Sequence, residues 1–230
     1  MKDRQIKIDY KKQDKDLYLP SVNPTIVKVP KMNFVAVRGQ GDPNDENGEY
    51  QKALPLLYGI SYTIKMSKKQ GDELKNYHDY TIPPLEGFWS IDLEQITDFG
   101  ISDKSKFSWT SMIRLPEFVS EEVFEWAKKK LAKKKPELDA LKALYLQFDE
   151  GECAQVMHLG SYDEELKTIK QLHQFISSQG FVEDFNSNCY REHHEIYLND
   201  PRKVPPEKLK TIIRHPIKKS SSEQIIAFKL

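Results

Sequence analysis

The stretch HHEIYL at residues 193–198 carries two imidazoles, a carboxylate and a phenol. Its alternation reads as a β-strand. Successive side chains of a strand point to opposite faces, so His193, Glu195 and Tyr197 share one face and His194, Ile196 and Leu198 the other. At ~3.3 Å per residue, Glu195 and Tyr197 stand roughly 6–7 Å apart at Cα, so both can touch one ligand. The aliphatic set is expected to pack on helices, which leaves His193, Glu195 and Tyr197 facing a cleft; the alternative is a solvated strand face. A metal reading would need Cys189, His193, His194 and His158 together. Adjacent strand histidines point apart, and neither C-x-x-C nor H-E-x-x-H spacing occurs. No metal and no cofactor is expected. A nucleophile triad and a glycine-rich phosphate loop are likewise without a local signature.

A second carboxylate stands in a similar setting in the first half of the chain. Glu86-Gly87-Phe88 matches Glu195-Ile196-Tyr197, with Trp89 alongside. Two carboxylates in an apolar pocket can divide labour, because desolvation raises one pKa while the other group stays ionised. Glu195, Tyr197 and Glu86 are therefore the candidate catalytic residues. Aromatic walls suit flat, hydrophobic or cationic compounds. The candidate ligand-binding residues are Tyr50, Tyr58, Phe88, Trp89, Phe107, Trp109, Met112, His158, Tyr162 and His193.

The elements that must position these groups read as follows. "TIVKVPKMNFVAVRGQG" gives one or two strands ending in a turn, and "YQKALPLLYGISYTIK" a helix that Pro55 should kink or shorten. "PLEGFWSIDL" is extended, and "KSKFSWTSMIRLP" is a strand with Phe107 and Trp109 on one face. "SEEVFEWAKKKLAKKK" is a helix capped by Ser120, with glutamates at its positive end and lysines at its negative end. A strand pair, "LKALYLQFDEGECAQVMHLG", precedes the helix "DEELKTIKQLHQFISSQG". The apolar stripe of that helix is Leu166, Ile169, Leu172, Phe175 and Ile176, and Gly180 ends it. "PPEKLKTIIRHPIK" is expected to close the core with a helix starting at Pro205 and Pro206.

The two halves repeat the order strand, glycine turn, helix, extended segment at a period of ~110 residues. The expected fold is α+β: two pseudo-symmetric β-α-β-β units, about 24–105 and 106–218, forming a mainly antiparallel sheet. Helices cover one face, and a ligand cleft lies on the other where the units meet. Residues 1–23 read as a loosely held polar arm and 219–230 as an appendage. The 230 residues hold 35 basic and 35 acidic side chains and two cysteines. That balance gives no general attraction to nucleic acid or to an anionic membrane, and the cysteines make no disulfide framework. No apolar run is long enough to span a bilayer and no signal peptide opens the chain, so a cytoplasmic protein is expected.

"PLEGFW", "KFSWTSMIRLPEFVSEEVFEWAKKK", "EGECAQVMHLGSYDEE" and "HHEIYLNDPRKVPPEKLKTIIRHPIK" together resemble the GyrI-like small-molecule-binding proteins, over roughly residues 20–218. That resemblance implies a tandem pair of SHS2 modules, in agreement with the repeat. Relatives include the ligand-sensing domain of MerR-type multidrug regulators, a gyrase-modulating protein and stand-alone cyclopropanoid hydrolases. In the ligand-sensing domain a glutamate on the last strand meets cationic aromatic drugs, and Glu195 is the matching position. The hydrolases open the activated cyclopropane of yatakemycin- and duocarmycin-type DNA alkylators. The "PLEG" motif here runs on as Phe88-Trp89-Ser90, where many members carry a second tryptophan. With some twenty polar residues upstream and no helix-turn-helix, the chain is not expected to be a MerR-type regulator by itself. The resemblance thus implies a cyclopropanoid hydrolase with aromatic small-molecule partners. The alternatives are a multidrug-binding, sensing or sequestering protein, or one that acts on DNA gyrase.

Overall fold

The computed structural model describes residues 7–90, 96–97, 100–101 and 103–220. The first six residues of the expected arm, most of the chain following Ser90 up to 102, and residues 221–230 of the expected appendage lie outside the described residues. In chain order the elements are the short helices α1 (Tyr10–Gln13) and α2 (Lys15–Tyr18), β1 (Thr25–Val29), β2 (Met32–Gln40), α3 (Glu49–Lys65) and β3 (Leu85–Ser90). The two-residue strands β4 (Ile96–Thr97) and β5 (Gly100–Ile101), then β6 (Ser108–Leu115), α4 (Glu121–Lys134) and β7 (Leu144–Phe148) follow. The last group is β8 (Gly151–Leu159), α5 (Glu165–Ser178), β9 (Phe181–Glu183), β10 (His193–Tyr197) and β11 (Lys210–Lys219).

The chain divides into two compact units, residues 1–15 with 32–148 and residues 16–31 with 149–230. In the first, the strand order is β3-β6-β2-β7; in the second it is β10-β11-β8-β1, with β9 added to the end of β11. The order repeats, and so does the helix placement: α3 follows β2 as α5 follows β8. Every ladder within the two units is antiparallel. The mixed α+β class and the internal duplication are as expected. The boundaries differ from 24–105 and 106–218. β6 pairs with both β2 and β3 and so completes the first unit, whereas β1 pairs with β8 and joins the second.

In the first unit, α3 buries Ala53, Leu56, Leu57, Ile60 and Ile64, a helical stripe. The helix runs on through Pro55 to Lys65 rather than stopping there. Ser120 caps α4 by accepting from the Val123 amide, and Glu121 and Glu122 fill its first turn. In the second unit, Leu172 and Ile176 of α5 pack on Ala154, Val156, Ile213, Ile217 and Phe181. Each such aliphatic contributes ~1.5–3 kcal/mol of burial.

Two local expectations are corrected. "KTIIRHPIKK" is the ten-residue strand β11, and Pro205 and Pro206 set only a single 3-10 turn before it. Its Thr211-Ile212-Ile213 run is β-branched, and alternate residues fill both faces. The N-terminal arm is also not loosely held along its described length. Tyr10, Leu17 and Tyr18 are buried, and Arg114 stacks 3.6 Å from the Tyr10 ring centre while pairing with Asp14.

Candidate active site

Register decides which way Glu195 points. It lies opposite Ile213, and Ile213 lies opposite Val156. Directly opposed residues share a face, and Ile213 and Val156 belong to the core under α5. Glu195, His193 and Tyr197 therefore face the helix, and His194 and Ile196 face away from it. This reverses the expected orientation. Ile196 gave a poor guide because the far face is covered too: the α2 segment lies there, with the Arg214 guanidinium donating to the Leu17 carbonyl at 2.8 Å.

On the helix side Glu195 sits at the centre of a hydrogen-bonded chain. Tyr197 donates its hydroxyl to Glu195 Oε2 at 2.7 Å, and His193 Nε2 meets Oε1 at 2.9 Å. Glu165, in the first turn of α5, hydrogen-bonds the Glu195 carboxyl. The neighbouring Thr211 hydroxyl also interacts with the Glu165 carboxyl. Behind His193, its Nδ1 meets His215 Nε2 at 2.7 Å, and His215 Nδ1 meets Glu183 Oε1 at 2.5 Å. His173 Nε2 on α5 reaches the same Glu183 oxygen at 2.8 Å. The Tyr162 ring closes the other side edge-on to Tyr197, with centroids 5.7 Å apart.

Electrostatics separates the two glutamates. Burial pushes Glu165 well above the usual carboxylate range, and the negative charge of Glu195 and its hydrogen bond push it further. Glu195 is also penalised by burial, but the hydrogen bond and positive charge of His193, with further hydrogen bonds from Tyr197 and Glu165, hold it below that range. The opposite directions make Glu165 the proton holder and donor of the pair and Glu195 the acceptor. At Glu183, hydrogen bonds from His173 and His215 outweigh burial and hold it down to about 2. Burial lowers His215 to about 4. Partial burial, then Glu165 and Glu195, push Tyr162 up to about 12.

Among the described residues, two triads bring possible ligand atoms within 4.8 Å of one another: Glu165, His193 and Glu195, and His173, Glu183 and His215. The hydrogen bonds just described account for both spacings, and we read them as one chain.

The other expected site residues divide into three groups. Tyr50, Trp89, Phe107 and Trp109 come together in the first unit. Tyr50 of α3 lies 5.4 Å from the Trp89 ring and 5.2 Å, edge-on, from Trp109, and Phe107 lies 5.3 Å from Trp89. Gly39, opposite Trp109, makes the seat: a Cβ there would stand 2.4 Å from the indole. On the same face the Trp109 Nε1 and Ser111 hydroxyl are buried without partners among the described residues. Tyr58 is an exposed residue of α3.

Glu86, Phe88 and Met112 form the second group and lie on the opposite face of that sheet from Trp89 and Trp109. Glu86 is opposite Met112, and Phe88 packs 5.4 Å from Phe148. The expected match of Glu86 with Glu195 fails by one residue, because Leu85, Gly87 and Trp89 are the helix-facing positions of β3. In the third group, His158 is structural: its ring bridges the Thr168 hydroxyl at 2.8 Å and the Ser161 carbonyl at 2.9 Å, tying down the start of α5.

Sequence reading missed Glu165, and yet a signal was present. Residues 165, 169, 172 and 176 follow helical 4-3-4 spacing, so Glu165 occupies the apolar stripe with Ile169, Leu172 and Ile176. A carboxylate in that row is a buried carboxylate. His215 and Glu183 were similarly legible as polar residues alternating with Ile213, Ile217 and Phe181. A surface hollow between Lys128, Pro136 and Leu141 of the first unit holds no comparable assembly.

The profile of the GyrI-like small molecule binding domain matches residues 22–218, and the chain belongs to that family. Three solved structures from Listeria innocua are similar. One, described as an uncharacterized conserved protein, shares 48% identity over 92% of this chain and 100% of its own, with a TM-score of 0.84. Two described as hydrolases share 46% and 47% identity over 92% and 93% of this chain and 100% of theirs, both with a TM-score of 0.82. A comparison with curated protein sequences finds no significant match. Among the described residues no helix is long and apolar enough to cross a membrane.

Proposed function

We propose that the protein binds flat, hydrophobic aromatic molecules and hydrolyses cyclopropanoid DNA-alkylating compounds. The observation that carries the reading is the buried Glu195 carboxyl hydrogen-bonded to Glu165, accepting from Tyr197 at Oε2 and meeting His193 at Oε1. Glu195 takes a proton from a water as the water oxygen bonds to the strained ring carbon. The cyclopropane C–C bond breaks, and its electron pair makes the dienone an aromatic phenolate. As Glu195 takes the proton its hold on the Tyr197 hydroxyl weakens, and that O–H can turn to the developing phenolate. The product leaves as phenolate and takes its proton from solvent, so Glu195 must release the proton it gained. Strain in the substrate supplies much of the driving force. Positioning and one base, worth ~10²–10⁴-fold, supply the rest. The hydrolase descriptions of two similar structures support this class.

The test is turnover of a duocarmycin-type compound followed by mass spectrometry, with wild type and Glu195→Gln side by side. Multiple turnovers in wild type and loss in the variant, with binding retained, are expected. An unchanged rate in the variant removes Glu195 as base.

A second reading, binding without chemistry, is favoured by the orphaned Trp109 Nε1 and Ser111 hydroxyl beside the Tyr50–Trp89–Trp109 cluster. Those atoms offer a ligand hydrogen bonds that do not involve Glu195. Stoichiometric capture without product would establish sequestration instead.

A further inference from the structure

We propose that His193, His215, Glu183 and His173 form a proton relay that joins Glu195 to solvent. The inference rests on the hydrolytic reading for its purpose, though not for its geometry.

The direction of each hydrogen bond follows from the one before it. Glu183 accepts, so His215 donates from Nδ1 and presents a bare Nε2. His193 must then donate from Nδ1 to reach it at 2.7 Å. That leaves His193 Nε2 against Glu195 Oε1 at 2.9 Å, a contact that needs a hydrogen of its own between the two atoms. The row thus carries one proton more than its neutral rings would hold, placed in the contact with Glu195. When Glu195 gains a proton from water, His193 passes its Nδ1 hydrogen to the bare Nε2 of His215, and His215 passes its own Nδ1 hydrogen to Glu183. There His173, with a side chain 47% exposed, meets solvent.

The surroundings suit this path. Glu165 faces Glu195 from α5, and Tyr197 and Tyr162 close its other side. The Phe185 ring lies edge-on to His215 at 5.1 Å, and His215 itself is buried. A buried histidine between two carboxylate-bound neighbours has no packing advantage over an aliphatic, which leaves proton conduction as the role its contacts fit.

Two measurements test the relay. Nitrogen-15 NMR of the imidazoles in the ligand-free wild-type protein near pH 7 should show His215 with hydrogen on Nδ1 and a bare Nε2, and hydrogen at both nitrogens of His193. Hydrogen on His215 Nε2, or a bare Nε2 at His193, would overturn the relay whether or not the protein is a hydrolase. In turnover of a cyclopropanoid, His173→Ala alters an exposed position and should leave folding unchanged. Its rate at low buffer concentration should fall roughly tenfold, less than removal of the base itself, and imidazole in the buffer should restore it. A rate equal to wild type and indifferent to imidazole would overturn His173 as the exit. A wild-type protein that turns over no cyclopropanoid removes the hydrolytic reading, and the NMR pattern then decides the relay alone.

Discussion

His194 and Glu195 are neighbours on one strand, and each meets a glutamate on its own side of the sheet. On the face away from α5, Glu150 is bound by His194 at 3.1 Å and by Arg214 at 3.3 Å. Arg214 is held in turn by Gln155 and the Leu17 carbonyl, and Arg191 donates to the Glu150 carbonyl. Positive partners outweigh the burial penalty and hold Glu150 below the usual carboxylate range. That cluster is saturated. On the α5 face, Glu195 meets a second acid, a phenol and a histidine, so a carboxyl stands where Glu150 has a guanidinium. A buried charge matched by cations fixes a fold, and one that shares a proton with a second acid is poised for a reactant.

One substitution, glutamate to glutamine, made at three positions, separates these roles. Glu195→Gln should have the largest effect on activity, a ~10²–10⁴-fold fall in turnover with little change in melting temperature. Glu150→Gln should act in the opposite sense. It leaves Arg214 and His194 buried without their anion, at about 3–5 kcal/mol of stability, measurable by denaturant unfolding. Glu165→Gln should do least. A protonated glutamate and a glutamine have similar shape, and both donate to Glu195, so turnover should stay within roughly tenfold and stability within about 1 kcal/mol. A large loss in that variant would mean that Glu165 works as an anion.

Acid titration of stability gives a smaller, graded effect. His215 is held at about 4 against an ordinary 6.5, so between those values the unfolded chain binds a proton that the folded one refuses. Stability should fall as pH drops through that window. Glu183, at about 2 against an ordinary 4.5, contributes stability that is present above 4.5 and lost as pH falls towards 2. In Glu183→Gln the second part of the decline should flatten.

How far the sequence reveals this arrangement depends on what covers each surface. Ser120 capping and the amphipathic α5 were legible because one face of each helix meets water. The duplication was legible from element order. On β10 both faces are covered, so alternation separated His193, Glu195 and Tyr197 from His194 and Ile196 correctly but did not say which set meets the helix. Glu86 shows the same sensitivity: a one-residue offset in aligning the halves moved it to the wrong side of β3. Glu165 comes from an element thirty residues before its partner, and that pairing appears only when the chain is folded.

The charge division between Glu195 and Glu165 is tested most directly by carbon-13 NMR titration of the two side-chain carboxyls in the ligand-free protein. Glu195 should be ionised and Glu165 protonated at neutral pH, with Glu195 taking up a proton only below the ordinary carboxylate range. Two ionised carboxylates at neutral pH, or the reverse assignment, would contradict it.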